Sequence, residues 1–429
     1  MKLFSSLPYK FIPLDSTLDP AKPELSFIVK ATFSLQNWRM PTTLPAEEQA
    51  DFAGDERYMD EIGRSLRYAS DLVPFKPFGE VLLTANCHAP DNYPAPSVDA
   101  GLTIGPISKH LRVFGDRVWL RDPQGQFMIE GPAPFIQMPL RWERAFGGLN
   151  LPENPMGRGI EPWTAEDGRK FLYLANIESP DLPIRGHDHL LPPACFAPIS
   201  PNWQPRFGRE GTRDQHWATF VAPLRPRDHD PRAAQAAPDD QCLKSGYWTG
   251  DERIELTNMH PDHASFTTAL PGKRLRCFIE ALTGEGEKLK FGEVPLDLDT
   301  VHIDMTSERL QLIWRQRFLP RLQGGSEIQA VYLAEELLTD EPASVAAHYQ
   351  DYLKLKGPEP EANAVKLARD EQAALGDARK TLVDAKVDEA VIAKFDAAPT
   401  PDAKFAMLIE LMQSKTAELE AMTASMKAR

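Results

Sequence analysis

The sequence predicts an α+β protein with two parts: a mostly antiparallel β body, sandwich or barrel-like, over residues 1–340 and a C-terminal α-helical tail domain over residues 341–429. All eight tryptophans and most of the 39 prolines lie in the first part, among short runs of alternating apolar and polar residues. Alanine, glutamate, lysine, leucine and methionine dominate the second part, and these residues favour helices. Because 429 residues exceed one ordinary hydrophobic core, two structural units are expected.

The clearest strand is predicted from alternation with a period of two. In Leu25–Leu35, every odd position is apolar and most even positions are polar. One face of this strand is therefore expected to point toward the core, and the other toward solvent or a neighbouring strand. Further along the chain, His302–Asp304 and Leu310–Phe318 are predicted to form an antiparallel pair.

Turn residues between alternating runs predict two further pairings. Gly115-Asp116 separates the runs Leu111–Val113 and Val118–Leu120, which predicts a hairpin. The region Leu270–Gly272 lies between the alternating runs Gly250–Met259 and Arg274–Leu282, which are predicted to pair as well. Several short strands joined by such turns favour antiparallel sheets.

The stretch Met138–Gln241 is too dense in proline, glycine, tryptophan and arginine for a long uninterrupted helix or strand. Within it, Arg141–Gly148 fits one helical turn or a short strand equally well. Arginine beside tryptophan favours ion pairs and cation–π contacts, which either brace loops from inside or grip a partner's carboxylates. On the second alternative, the partner-binding candidates of this stretch are Arg141, Trp142, Arg144, Trp203, Arg206 and Trp217.

No catalytic constellation is predicted, and no cofactor is expected. The best metal candidates are His187, His189 and His229, which have aspartates beside them, but no third ligand has a diagnostic spacing. A metal-dependent enzyme built on these histidines is the alternative hypothesis. Serine nucleophile elbows and glycine-rich nucleotide loops do not occur in the sequence.

Charge and composition argue against some classes of binding partner. A formal net charge of −14 and a pI near 5.3 argue against nucleic acid and against an anionic membrane surface. The four cysteines are far apart and form no CxxC pair, so reduced and mostly buried thiols are expected. Without an 18-residue apolar segment, the sequence predicts a cytoplasmic protein that does not insert into membranes.

The tail is predicted to consist of several helices, the last over about residues 401–428. That helix carries an apolar stripe at three- and four-residue steps, which requires a packing partner because isolated helices are marginally stable in water. The stripe packs either within the tail or on a partner protein, since methionine-rich faces adapt to irregular surfaces. Its members are Phe405, Leu408, Met412, Leu419, Met422 and Met426.

A family resemblance adds to these inferences. RWERAFGG at 141–148, NPMGRG at 154–159, LANIESP at 174–180, GTRDQHW at 211–217 and GDERIELTNMHP at 250–261 follow one another in a characteristic order and spacing. In these motifs the chain resembles the bacterial family known as domain of unknown function 2169. The resemblance extends over roughly Phe4 to Leu337.

The resemblance implies a function in type VI secretion. Members of the family are regarded as accessory adaptors or chaperones that help to load a toxic effector onto the spike tip. The implied partners are an effector toxin and a spike-tip protein of the PAAR or valine-glycine repeat type. We therefore expect a non-enzymatic, cytoplasmic adaptor that associates transiently with the secretion apparatus; a structural component of the secretion particle is a further alternative.

Overall fold

The computed structural model describes all residues except 38–39, 123, 125, 165–169, 284–287, 358–360, 385–386, 401–402 and 416–429. The chain divides into two compact units, Met1–Leu355 and Lys356–Arg429. The strands up to residue 180 are β1 Lys2–Ser5, β2 Lys10–Asp15, β3 Leu25–Ser34, β4 Thr42–Thr43, β5 Glu56–Arg57, β6 Leu66–Tyr68, β7 Glu80–Thr84, β8 Asn86–His88, β9 Ser97–Ile104, β10 Ile107–Phe114, β11 Val118–Arg121, β12 Phe127–Glu130, β13 Gln137–Pro139, β14 Phe146–Gly147, β15 Arg158–Gly159, β16 Trp163–Thr164, β17 Lys170–Tyr173 and β18 Ile177–Glu178. The later strands are β19 Arg253–Thr257, β20 Ser265–Ala269, β21 Lys273–Thr283, β22 Lys288–Val294, β23 Asp297–Asp304, β24 Arg309–Phe318 and β25 Ile328–Leu337. The helices are α1 Arg206–Arg209, α2 Gln215–Phe220, α3 Val345–Lys356, α4 Glu361–Asp384 and α5 Glu389–Ala397, and residues 403–415 are also helical.

The largest sheet has the order β2-β3-β24-β23-β7, with β4 paired to β3. The predicted strand at Leu25–Leu35 and the predicted pair at His302–Asp304 and Leu310–Phe318 are confirmed as β3, β23 and β24. Both faces of β3 are buried, because its polar face lies under the segment that follows β4. There the Lys30 ammonium pairs with Asp71 at 2.8 Å, and the Thr32 backbone exchanges hydrogen bonds with the Gln49 side chain.

The other sheets of four or five strands have the orders β1-β25-β21-β22, β18-β10-β9-β19-β20 and β12-β11-β17-β16. Apolar residues of the largest sheet and of the first two of these, such as Val29, Leu102 and Val331, belong to one continuous core. Most pairings are antiparallel, and none of the sheets of described residues closes on itself. The α+β class with a mostly antiparallel β body is thus confirmed, while the barrel-like alternative is not what the chain forms.

Two predicted pairings are wrong. The runs around Gly115-Asp116 do not form a hairpin, because β10 pairs with β9 and β18, whereas β11 pairs with β12 and β17. The Asp116 carbonyl instead accepts the Ala133 N–H at 3.0 Å, and the chain crosses between sheets. Likewise, β19 pairs with β20 and β9, and β21 pairs with β22 and β25. Alternation locates a strand, but distant contacts select its neighbour.

The helices after residue 340 belong to both units. In the first unit, Tyr352 of α3 is fully buried against Phe278 and Tyr332, and its hydroxyl donates to Glu280 at 3.0 Å. In the second unit, α4 runs unbroken through Gly376. None of the helices in the described part of the chain combines the length and apolar character needed to span a bilayer.

Candidate functional site

Trp142 lies in a single 3-10 turn, Trp142–Arg144, between extended residues. The segment Arg141–Gly148 thus contains a helical turn, of the 3-10 type, followed by the short strand β14 at Phe146–Gly147. The indole is 3% exposed, and its Nε1–H donates to the carbonyls of Ala197 at 3.0 Å and Pro198 at 2.9 Å. Trp203, equally buried, meets its ring edge-on at 6.2 Å. These two predicted partner-binding residues are core residues.

The neighbouring arginines make internal contacts. Arg141 lies over the Tyr58 ring at 5.4 Å, and its Nε is 3.9 Å from the Glu143 carboxylate. Arg144 donates to Asp116 at 3.0 Å, and Arg158 donates to the same carboxylate oxygen at 3.1 Å. Because Arg144 is already committed to this ion pair, it does not offer a free cation to a partner.

The contacts of Arg144 and Arg158 with the Asp116 carboxylate help to explain the pKa shifts of Asp116 and Arg158. Burial raises the pKa of Asp116, but a hydrogen bond from Asn176 and the charges of Arg144 and Arg158 outweigh burial and hold that pKa below its ordinary value. Burial also lowers the pKa of Arg158, and the positive charge of Arg144 adds to the effect. The arrangement braces the loops that carry the RWERAFGG and NPMGRG motifs.

Arg206 is a buried brace as well. Its Nη1 donates to the carbonyl of Ile199 at 2.6 Å, and its Nε donates to the carbonyl of Ala233 at 3.2 Å. Burial lowers the pKa of this guanidinium. The cation thus ties two loop segments together by satisfying their carbonyl groups. Arg206 therefore supports the surface from below.

The loop of residues 211–228, called the 211–228 loop below, exposes large apolar side chains. The backbone N–H and the hydroxyl of Thr212 donate to the Asp228 carboxylate at 3.0 and 2.7 Å, which closes the base of the loop. Phe220 is 77% exposed near the tip, and Leu224 is also exposed. Trp217 is half-buried and holds the loop together, since its Nε1–H donates to the Leu224 carbonyl at 2.9 Å.

A groove of about 550 Å³ lies along strand β10; it is called the β10 groove below. It is lined by Ser108–Leu111 of β10, by Trp142 and Ile199, and by the prolines Pro192, Pro193, Pro205 and Pro238. Arg209, in the helix that leads into the 211–228 loop, pairs with Asp239 of the groove at 2.6 Å. A concave, partly apolar surface of this volume is typical of a ligand-binding site.

Charges in the β10 groove are unevenly distributed. Lys109 is buried, and its ammonium donates to Asp240, Gln241 and the Cys195 carbonyl at 2.7 to 2.9 Å. Glu153 and Asp181 also line the groove, are exposed, and make no ion pair with any residue in the described ranges. The rim therefore carries uncompensated negative charge.

The candidate metal ligands do not come together. His187 stacks on the Phe127 ring with 3.6 Å between centroids, and His189 is exposed. His229 lies with its Nδ1 3.4 Å from the Glu210 carbonyl oxygen. Among the residues with described positions, no three His, Cys, Asp or Glu side chains form a group that could hold a metal ion. The four cysteines are free thiols, three of them buried, and burial raises their pKa.

A second concave site of about 500 Å³ lies over the largest sheet. His302 at its floor is 3% exposed, and burial lowers its pKa to about 4. The Thr84 hydroxyl donates to the Arg67 carbonyl and lies 3.1 Å from His302 Nε2. Because a hydroxyl has one hydrogen, Thr84 must accept from Nε2–H. Nδ1 of the neutral ring is then an acceptor.

The predicted tail residues are only partly described. Phe405 and Leu408 are half-buried in the helix of residues 403–415, while Met412 is 70% exposed. Leu419, Met422 and Met426 lie outside the described residues. Within this second unit, Arg379 and Asp396 join α4 to α5 by hydrogen bonds of 2.8 to 3.0 Å.

The residues that sequence reasoning selected in this stretch are buried or half-buried. Sequence reasoning missed Phe220, Leu224 and the exposed Phe207, as well as the β10 groove. A local signal was the cluster of Ala218, Phe220 and Val221 after Trp217, within a region otherwise rich in charge. Nothing in the sequence brings β10 next to Pro192 and Pro238, because these contacts are distant along the chain.

Comparison with known proteins gives one match. Residues 21–315 match the model of a family described as "Uncharacterized protein conserved in bacteria (DUF2169)". No curated protein and no solved structure is significantly similar to the chain. The matched segment contains the 3-10 turn at Trp142, the β10 groove and the 211–228 loop, and it spans well over half of the chain. The protein therefore belongs to this bacterial DUF2169 family.

Proposed function

We propose that the protein is a non-enzymatic adaptor or chaperone that binds a cognate type VI secretion effector and helps to load it onto the spike tip. The assignment to type VI secretion rests on the resemblance of the sequence motifs to the family. The binding function is supported by one observation above the others: the 211–228 loop exposes Phe220 and Leu224 on a base closed by hydrogen bonds. Exposed apolar patches on an ordered support are typical of protein interaction sites.

Burial of an exposed aromatic side chain in an interface lowers the free energy of the complex. An exposed phenylalanine gains nothing from folding, yet burying it in an interface removes apolar surface from water at about 25 cal/mol per Å². The hydrogen-bonded base reduces the conformational entropy that the loop loses on binding. Aromatic residues on ordered supports are accordingly frequent among the residues that dominate interface energetics.

Capture of the effector tests the proposal. The tagged full-length chain is co-expressed with the products of neighbouring open reading frames, and captured proteins are identified by mass spectrometry. The wild-type chain is expected to retain an effector and a spike-tip protein of the PAAR or valine-glycine repeat type. Phe220→Ala is expected to weaken effector binding by roughly 30-fold, which corresponds to about 2 kcal/mol for a dominant interface residue.

Tyr93→Ala is the matched control, because Tyr93 is 78% exposed in a different segment and is also aromatic. Neither variant should change the free energy of unfolding appreciably, since both side chains are exposed. If the wild-type chain retains no neighbouring gene product, or if the two variants bind equally well, the proposal is wrong.

The tail supplies a second test. A chain that ends at Ala398 lacks the helix of residues 403–415 and the stripe that begins at Phe405. A folded chain of this length that no longer retains the effector supports partner binding by the stripe. A chain that retains the effector but unfolds more easily assigns the stripe to packing within the tail, and the 211–228 loop then remains the proposed site.

A further inference from the structure

One edge of β10 is open where the strand lines the groove. β9 pairs with β10 along its whole length, from Ile107 to Phe114. On the other side, β18 pairs only with Arg112 and Val113. Four consecutive residues, Ser108–Leu111, line the β10 groove. Because successive side chains of a strand point to opposite faces, a groove lined by all four runs along the strand edge.

One contact shows which residues of β10 direct their backbone N–H and C=O groups toward this edge. The Phe114 N–H donates to the Asn176 carbonyl at 2.7 Å, on the side of β18. Residues at even positions of β10 therefore direct their N–H and C=O groups to this side. At Ser108 and His110, these backbone groups make no hydrogen bond to any residue within the described ranges. They form an unpaired template for another strand.

Pro180 explains why β18 stops short. In the register of Arg112 with Glu178, residue 180 would stand opposite His110. A strand continuing there needs a backbone N–H at position 180 to donate to the His110 carbonyl, and proline has none. The chain turns away after Glu178, and Ser179, Asp181 and Leu182 line the groove without pairing with β10.

The side chains around the edge indicate what an added strand would carry. Lys109 and Leu111 point inward and are buried, whereas Ser108 and His110 are exposed. Inward-pointing residues of an added strand would meet the apolar lining at Trp142, Ile199 and the prolines. The carboxylates of Glu153 and Asp181, which line the same groove, favour basic side chains on an added strand.

We propose that an extended segment of a partner protein, alternating apolar and basic residues, adds as a strand to the open edge of β10 at Ser108 and His110. Backbone hydrogen bonds supply part of the affinity, and the groove selects the side chains. The inference rests on the proposed function only in taking the occupant to be a protein. It names the chemistry of the segment that the adaptor would hold.

The test uses a synthetic peptide of three alternating valine–lysine pairs, with both ends blocked, and the full-length protein. Amide hydrogen exchange is followed by NMR spectroscopy. The amides of Ser108 and His110 are expected to exchange rapidly in the free protein and to slow at least ten-fold with saturating peptide. The amides of Lys109 and Leu111 face β9, so they serve as internal controls whose exchange stays unchanged.

Matched peptides separate strand addition from binding by side chains alone. Residues directly opposite each other in an antiparallel pair point to the same face. Lysines of the peptide therefore stand opposite Ser108 and His110, and their N–H groups point toward β10. N-methylation of the lysines is expected to weaken binding roughly ten-fold or more through lost backbone hydrogen bonds, while N-methylation of the valines leaves binding intact.

Charge is tested in the same titration. Replacing the lysines of the peptide by glutamates is expected to abolish measurable binding, and the double variant Glu153→Gln, Asp181→Asn to weaken the lysine peptide roughly five-fold. Both substituted side chains are exposed, so the variant is expected to fold.

Three results would overturn the inference. In the first, the amides of Ser108 and His110 already exchange slowly in the free protein; in the second, the two N-methylated peptides bind equally well. In the third, exchange of these amides slows as the protein concentration rises, without any peptide. The last result would assign the edge to a second copy of the chain. If Phe220→Ala no longer captures the effector but binds the peptide normally, both proposals stand. If the effector is captured normally but the peptide does not bind, only strand addition is refuted.

Discussion

His302 provides a pH-dependent test of the buried polar layer beneath the concave site. The proposed change is His302→Gln, in which the amide Nε2 can replace the ring Nε2–H that donates to Thr84. Burial lowers the pKa of His302 to about 4 in the folded chain. An exposed histidine, as in the unfolded chain, titrates near about 6.5. The unfolded state therefore binds the proton more tightly, and protonation favours unfolding.

The sign and the size of the effect follow from linkage. The stability that neutral His302 contributes is present above about pH 6.5 and is lost as the pH falls toward about 4. Between pH 7.5 and pH 5, the wild-type chain is expected to lose about 2 kcal/mol of unfolding free energy through this residue. Lys30, Asp71 and Asp304 also act on the His302 charge, and these residues are common to both chains.

Urea denaturation followed by tryptophan fluorescence at the two pH values measures the effect. The change in unfolding free energy with pH is compared between the wild-type chain and His302→Gln, so that titrations shared by both cancel. His216→Gln, at an exposed position of the 211–228 loop, is the control and should behave like the wild-type chain. Equal pH dependence of the wild-type chain and His302→Gln would refute the assignment of a buried neutral imidazole.

Two further predictions concern stability. Trp142→Ala should lower the free energy of unfolding by about 3 to 5 kcal/mol, because it removes a buried ring and leaves the carbonyls of Ala197 and Pro198 without their donor. A loss below about 1 kcal/mol in urea denaturation would place Trp142 outside the core. Gly376→Ala should stabilise the second unit by roughly 0.5 to 1 kcal/mol, because an added Cβ meets no atom within 4 Å inside the continuous helix α4. A lower thermal midpoint for that variant would mean that the helix ends at Gly376 after all.

Much of the local structure could be predicted from the sequence. Alternation identified β3 and the pair of β23 with β24, because a strand with a buried face must repeat every two residues. The scattered cysteines were expected to be reduced and mostly buried, and all four are free. Motif order pointed to the DUF2169 family, which the match over residues 21–315 confirms.

The candidate site was less predictable, because burial depends on distant neighbours. Trp142 and Arg206 have the residue types that are common in interfaces, and the same types also brace loops from inside. Only the contacts of Trp142 with Ala197, and of Arg206 with Ile199, distinguish the two possibilities. Phenylalanine is usually found in protein cores, yet Phe220 is exposed.

The sequence by itself determined where strands such as β3, β23 and β24 form and to which family the chain belongs. These properties depend on spacing, on backbone chemistry and on motif order within short segments. Only the tertiary structure decided that β10 pairs with β9 rather than β11, that Lys109 is buried against Asp240, and that Pro180 stands where a continuing strand would need an N–H. Strand pairing is selected by contacts between residues far apart in the chain, and no local pattern encodes which edge remains open.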